Sequence, residues 1–280
     1  MTRLVLQGQN LTNEAVNEIA DKCQATADIT SQFTVIENVK VTQADVDALR
    51  TAYPFDINLM PEQFNPSAAK LLVTDMDSTL ISIECIDEIA DFINVKPQVA
   101  EITEAAMRGD IDFETSLRKR VSLLKGLDVS ALERVYLERL QLNPGAEVML
   151  KTLQQQGIKT ALVSGGFTFF TERLKQRLGL DFTMANVLAE HNGKLTGEVA
   201  GDICGAQAKA DFLLAHCEKL NISPQQVVSM GDGANDLLMM KEAGLSIAYH
   251  AKPTVQQQAN TALNYCGLEG VLGLLQLQYN

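Results

Sequence analysis

From residue 68 onward the chain repeats one unit: a short apolar run, a polar cluster, then a helical stretch. "KLLVTD" is the first such run, with helical sequence behind it to about residue 142 and a further helix from about Ala146 to Gln156. "KTALVSGG" reads as a strand, "FTFFTERLKQRLG" and "AQAKADFLLAHCEKL" as helices, "QVVSMGDG" as a strand, "ANDLLMMKEAG" as a helix and "LSIAY" as a last strand. Residues 181–203 receive no element. Apolar strands joined through helices have both faces buried and run parallel, so the repeat predicts an α/β fold: a Rossmann-like parallel sheet with helices on both faces. The stretch 81–142 carries no strand signal. It predicts a helical cap, about 82–142, inserted after the first core strand and placed to cover the carboxyl ends of the strands.

The first third follows a different rhythm. Three of the chain's seven prolines fall between residues 54 and 68, where they favour turns over helix and mark a boundary. Ahead of them "TRLVLQ" and "SQFTVIENVKV" read as strands, "TNEAVNEIADKCQ" and "TQADVDALRTA" as helices, and "FDINLM" as a third strand. Residues 1–65 thus form a small α+β domain of ferredoxin-like or ACT-like order, and 69–280 the core with its cap. The N-terminal unit carries no residue cluster with evident chemistry.

Charge and composition exclude whole classes of function. With 46% apolar and 21% charged residues in 280, the chain is an ordinary globular one. A formal charge of −12, with "RKR" at 118–120 as the only short basic cluster, argues against nucleic-acid partners. No apolar run approaches a membrane span, and the first fifteen residues lack a signal-peptide pattern, so a cytoplasmic location is expected and no membrane partner. Five cysteines without CxxC spacing read as buried free thiols, and the scattered His191, His216 and His250 as packed or surface residues. A homodimer is compatible with this composition but not indicated by it.

Three core strands end in polar clusters, "TDMDST", "VSGG" and "MGDGAND", and open α/β sheets bind ligands outside these ends. Asp75 and Asp77 share parity, so an extended chain points both carboxylates the same way, at a cost that a cation or a shared proton relieves. Asp75, Asp77 and Asp232 offer the hard oxygens Mg²⁺ prefers. "SGG" before a helix offers a hydroxyl and free N–H groups for a phosphate oxygen. Lys209, near the first turn of its helix, opposes the macrodipole, which is easier to understand if it faces an anion. Taken singly, each feature is as readily a turn, a flexible loop or a solvated lysine; their common order along one α/β chain favours a site.

In that order "DMDST", "VSGG", the isolated Lys209 and "GDGANDLLM" resemble the four successive motifs of the haloacid dehalogenase superfamily, over about residues 69–276. The resemblance implies an Mg²⁺-dependent phosphoryl transfer through an aspartyl-phosphate. Asp75 would be the nucleophile and Asp77 the general acid, then base. Ser164 and the Gly165 N–H would hold phosphoryl oxygens, with Lys209 offsetting their charge and Asn235 beside the phosphate. Asp75, the Asp77 carbonyl and Asp232 would bind the metal, supported by Asp236.

The cap should carry specificity. In "FETSLRKRVSLLKG" the apolar positions Phe113, Leu117, Val121 and Leu124 define a helix face with Arg120 on its edge, either snorkelling from the core or held over a pocket to pair with a carboxylate. Glu84 is indistinguishable by periodicity from Asp87, Glu88 and Asp91. Here "ECIDEIA" and "FETSLRKRVSLLKG" resemble the branch of the superfamily that hydrolyses phosphoserine, in which Glu84 would meet the substrate ammonium, Arg120 its carboxylate, and Met107 and Phe113 would close over it. The alternatives are a phosphatase or phosphotransferase for another small phosphate ester, or a non-catalytic amino-acid-sensing protein.

Overall fold

The computed structural model describes residues 2–279, and of Met107 the backbone alone. In the N-terminal part β1 (Arg3–Gln7), α1 (Asn13–Lys22), β2 (Ala27–Ile29), β3 (Thr34–Glu37), α2 (Gln43–Ala52) and β4 (Asp56–Met60) build an antiparallel sheet of order β2-β3-β1-β4, the ferredoxin-like arrangement expected. Helix α1 starts where Thr12 accepts from the Ala15 N–H, and α2 where Thr42 and Asp45 cap each other reciprocally. Alternation splits the sheet's residues between two faces. Leu4, Leu6, Ile36 and Ile57 pack with Val16, Ile19 and Val46 of the helices, whereas Val5 and Met60 join the core of the larger unit. The fourth strand, β2, is three residues long and mostly exposed, so it carries no hydrophobic pattern by which it could be read.

The larger unit runs β5 (Leu71–Thr74), α3 (Cys85–Asp91), α4 (Lys96–Met107), α5 (Phe113–Ser122), α6 (Ser130–Glu138), α7 (Ala146–Gln155), β6 (Lys159–Phe167), α8 (Thr168–Leu178), β7 (Phe182–His191), β8 (Lys194–Ala200), α9 (Ala206–Leu220), β9 (Val227–Gly231), α10 (Leu237–Glu242), β10 (Leu245–Tyr249), α11 (Pro253–Gln256), β11 (Thr261–Leu263) and α12 (Gly270–Leu274). Its seven strands lie in the order β11-β10-β9-β5-β6-β7-β8, parallel throughout except for β8. Successive residues of the central strands serve opposite faces. Leu72, Leu162 and Val228 pack toward α7, α8 and α12, while Leu71, Val73, Ala161 and Val163 pack toward α9 and α10. Such double burial makes these strands read as unbroken apolar runs.

Several elements of the larger unit are missing from the sequence reading. Residues 182–200, to which no element is assigned above, form the β7–β8 hairpin, turned by Asn192 (φ 51°) and Gly193 (φ 74°). An Asn-Gly pair with both φ positive matches the twist of a hairpin, and "HNGK" was the available signal. Strand β10 is also not the last: β11 adds at its edge.

Helices α3–α6 stand between β5 and β6 in the chain. The segment leaves and returns side by side, through the Ile81↔Leu142 bridge and the Ser82 N–H to Gln141 O bond (2.9 Å). The N-terminal sheet is fastened to the other end of the large sheet. Buried Asp56 accepts from the Asn264 N–H (2.7 Å) and the Cys266 N–H (2.9 Å), and the Asn58 amide exchanges bonds of 2.9 and 2.8 Å with the Ala262 backbone. Asn58 thereby stands in for a neighbouring strand along β11, whose edge would otherwise be unpaired.

Candidate active site

The carboxyl ends of β5, β6 and β9 converge, as parallel strands oblige them to. Asp75 follows the last residue of β5, and the chain then turns through Ser78, held at φ 56°. Asp75 is 5% exposed, and its Oδ1 accepts from Lys209 Nζ at 2.6 Å. Burial first, and then the Asp236 carboxylate, push its pKa well up, against the pull of Lys209. Asp77 accepts from the Cys85 N–H through Oδ1 at 3.0 Å, and burial raises its pKa as well. Its Oδ2 lies only 2.7 Å from where a Cβ on Gly166 would stand, so this oxygen faces the loop at the end of β6.

Lys209 is fully buried in the first turn of α9 and bonds a second acid, Asp236, at 2.7 Å. Desolvation works against its charge, yet Asp236 and Asp75 together raise its pKa above the ordinary lysine value. Asp236 also accepts from the Gly233 N–H at 3.1 Å, and a Cβ on Gly231 would fall 2.3 Å from its carboxyl carbon, so this close approach requires Gly231; a Cβ on Gly233 would instead meet Asn235 Oδ1 at 2.3 Å. Asp232, half-buried behind β9, accepts from the Thr79 hydroxyl at 3.2 Å, and burial followed by Asp236 pushes its pKa to about 6.

Carboxylate oxygens of Asp75, Asp232 and Asp236 lie within 4.8 Å of one another. Against these acids stands the single ammonium of Lys209, so two negative charges go unbalanced when all are ionised. A cluster of hard oxygens with that deficit fits a divalent cation. Asp236 belongs to the cluster by distance, although its bonds to Lys209 and Gly233 engage both of its oxygens.

Opposite, Ser164 is buried and its Oγ accepts from the Gly166 N–H at 2.8 Å, which winds Ser164–Gly166 into a tight loop at the end of β6. Phe113, the first residue of α5, covers this loop: a Cβ on Gly165 would sit 3.0 Å from its ring. Asn235, half-buried, lies in the turn between β9 and α10.

Two of the acids that periodicity leaves equivalent are engaged by basic partners. Glu88 pairs with Lys96 (3.3 Å) and Arg139 (3.2 Å), and Asp91 with Arg139 (3.5 Å). Glu84, an exposed residue, accepts through its carboxylate from the Ser78 hydroxyl at 2.7 Å, and burial of part of it followed by Asp77 raises its pKa to about 7, an effect that the surrounding water screens in part. Arg120 keeps a buried Nε with no partner and makes no ion pair within 4.0 Å among the described residues; desolvation lowers its pKa while Asp87, Glu84 and Asp77 oppose this. Asp87, Glu84 and Asp77 are thus the acids whose charges act on Arg120. The side chain of Met107 lies outside the described residues. Thr79 and Ser78, which hold Asp232 and Glu84, are site residues that sequence reasoning missed; a hydroxyl's partner across a turn leaves no pattern in sequence.

This fold and acid–lysine site define a hydrolase class: a model of haloacid dehalogenase-like hydrolases matches residues 69–244, and the chain belongs to that family. The phosphoserine phosphatase of a Polaromonas species is 52% identical over 225 residues, 79% of this chain and 95% of that protein. A probable phosphoserine phosphatase from Vibrio cholerae, solved unliganded, superposes with a TM-score of 0.84 at 40% identity, covering 98% of this chain and 86% of that one. A phospho-aspartyl intermediate analogue of a phosphoserine phosphatase superposes with a TM-score of 0.69 at 41% identity, covering 75% and 99%.

Proposed function

We propose that this protein is a phosphoserine phosphatase, hydrolysing O-phosphoserine to serine and phosphate by way of an aspartyl-phosphate on Asp75, in the cytoplasm, as the final step of serine biosynthesis. The observation that carries the substrate is that Arg120 and Glu84, whose charges act on each other, have no opposite charge within 4.0 Å among the described residues. A phosphorylated amino acid brings the complementary ammonium and carboxylate. An ester lacking either group leaves a charge unpaired, which is the costly outcome. The names of the relatives point to the same ester.

The geometry supports a division of labour. Lys209 occupies one oxygen of Asp75 and leaves Oδ2 for phosphorus. Asp77, with its pKa raised and Oδ2 turned to the phosphate loop, holds the proton the departing serine oxygen needs, then takes one from water. Ser164 and the Gly165 N–H hold phosphoryl oxygens, with Asn235 beside them and Phe113 excluding water from above. Met107 is assigned to the same closure. Mg²⁺, held by Asp75, Asp232 and the Asp77 carbonyl, would supply charge neutralisation for anion attacking anion.

Phosphate release from phosphoserine, phosphothreonine, phosphoethanolamine and sugar phosphates, with and without Mg²⁺, tests this reading. Phosphoserine with Mg²⁺ should have the highest kcat/KM; a sugar phosphate turned over better would overturn the substrate assignment.

A further inference from the structure

Strands β6 and β7 keep a regular parallel register from Ala161↔Phe182 to Val163↔Met184, and the next pair is Phe167↔Asn186. Four steps along β6 are matched by two along β7, so Ser164–Gly166 bulge out of the ladder beside Asp77. A bulge leaves backbone groups without ladder partners. Here side chains take their place: the Ser164 hydroxyl accepts from the Gly166 N–H, and Asn186 serves the Gly165 carbonyl. Asn186 is 1% exposed; its Nδ2 donates to Gly165 O at 2.8 Å and its Oδ1 accepts from the Cys204 N–H at 2.8 Å.

The first bond fixes the peptide that joins Gly165 to Gly166 in the phosphate loop. The second fixes the turn leading into α9, whose Gly205 O accepts from the Lys209 N–H at 3.0 Å. One buried amide thus sets the spacing between the loop and the ammonium that must face each other across a phosphoryl group. We propose that Asn186 is a positioning residue for phosphoryl transfer, holding the Ser164–Gly166 loop and the start of α9 at the separation the transferring group requires. This rests on the reading of Asp75, Ser164 and Lys209 as the phosphoryl-transfer site, though not on which ester is cleaved. The strand that carries Asn186 is also sewn to the cap through its hairpin partner: the Gly126 N–H donates to Leu195 O (2.8 Å), the Leu195 N–H to Leu127 O (2.8 Å) and the Val129 N–H to Gly193 O (3.0 Å). Phosphate loop and cap therefore share one support.

The test uses Asn186→Asp and Asn186→Ala in the full chain, assayed with phosphoserine and with the activated ester p-nitrophenyl phosphate. Asn186→Asp is isosteric and keeps an acceptor for Cys204 while losing the donor to Gly165. Both variants should melt cooperatively and lose about 100-fold in kcat, the scale expected when reacting groups shift by about an ångström. KM should change little, and inhibition by orthovanadate, a five-coordinate phosphoryl mimic, should weaken in step with kcat/KM. The proposal is overturned by wild-type kcat in a folded variant, by a loss confined to KM, by unchanged vanadate inhibition, or by failure of both variants to fold. Failure of the phosphoserine reading looks different: wild type would cleave p-nitrophenyl phosphate and not phosphoserine, and the variants' loss on the former would still decide the role of Asn186.

Discussion

Asp75 lies between two opposing demands. Burial and Asp236 favour a proton on it, whereas attack on phosphorus requires the carboxylate that Lys209 stabilises at 2.6 Å. A divalent cation bound at the acidic cluster would resolve the conflict, and this would set a pH dependence. Asp232, with its pKa raised to about 6, holds a proton in the folded, cation-free protein at pH values where the unfolded chain has released it. Its contribution to stability is therefore present at low pH and lost as pH rises through about 6, and cation binding must displace that proton. Cation affinity should thus fall by about tenfold per pH unit below 6 for each proton displaced. Thermal midpoints with and without Mg²⁺ at acidic and at neutral pH measure this; an equal gain at both would refute it. Asp75→Asn keeps an acceptor for Lys209 but removes the proposed nucleophile, so turnover should vanish while phosphoserine still protects against thermal unfolding. Arg120→Ala should lower kcat/KM for phosphoserine by about 100-fold, roughly 3 kcal/mol, the scale of truncating one partner of a desolvated charge pair. Phosphoethanolamine, without a carboxylate, should be affected far less, and an equal loss on both esters would mean a folding defect.

At the scale of elements, close approach explains which residues are small. The loop at the end of β6 admits Asp77 Oδ2, Met76 Cε and Ser164 Oγ within 2.7, 2.9 and 3.0 Å of the vacant Cβ position of Gly166. Gly166→Ala should therefore push Asp77 off its line and cost about 100-fold in kcat, with the fold intact by circular dichroism. A near-wild-type rate would show that the carboxyl has room to spare. The same loop accounts for the length of β6, whose ladder resumes at Phe167 after the bulge. The helical pattern of α5 placed Phe113 and Arg120 on one helix in sequence; only the fold brings the first onto Gly165 and the second under the influence of Asp87 and Glu84.

Across the whole molecule, the two sheets are joined by buried polar groups rather than by apolar contact alone. Asp56 gathers the N–H groups of Asn264, Tyr265 and Cys266, on the loop that follows β11. Asp56→Ala leaves these donors without their acceptor, and hydrogen bonds to a charged group contribute about 1.5–3 kcal/mol each, so a loss of at least about 3 kcal/mol is expected in denaturant unfolding. A change below about 1 kcal/mol would mean that water substitutes freely at this junction. Neither Asp56 nor Asn58 stood out in the chain, because the partners that join them to the other sheet are backbone atoms more than 200 residues away.

The alternation of apolar runs and helices was sufficient for the parallel sheet, and polar clusters at strand ends for the acids, because burial on two faces and the carboxyl-end rule act on local sequence. The β7–β8 hairpin was legible in "HNGK" as well, where positive φ at Asn192 and Gly193 marks the turn. What local pattern does not encode is who pairs with whom over long separations. Lys209 is 134 residues from Asp75, and Glu84 is chemically identical to Glu88 until Lys96 and Arg139 neutralise the latter. Those assignments were made by packing, which decides which charges find a partner inside the protein and which remain for a ligand.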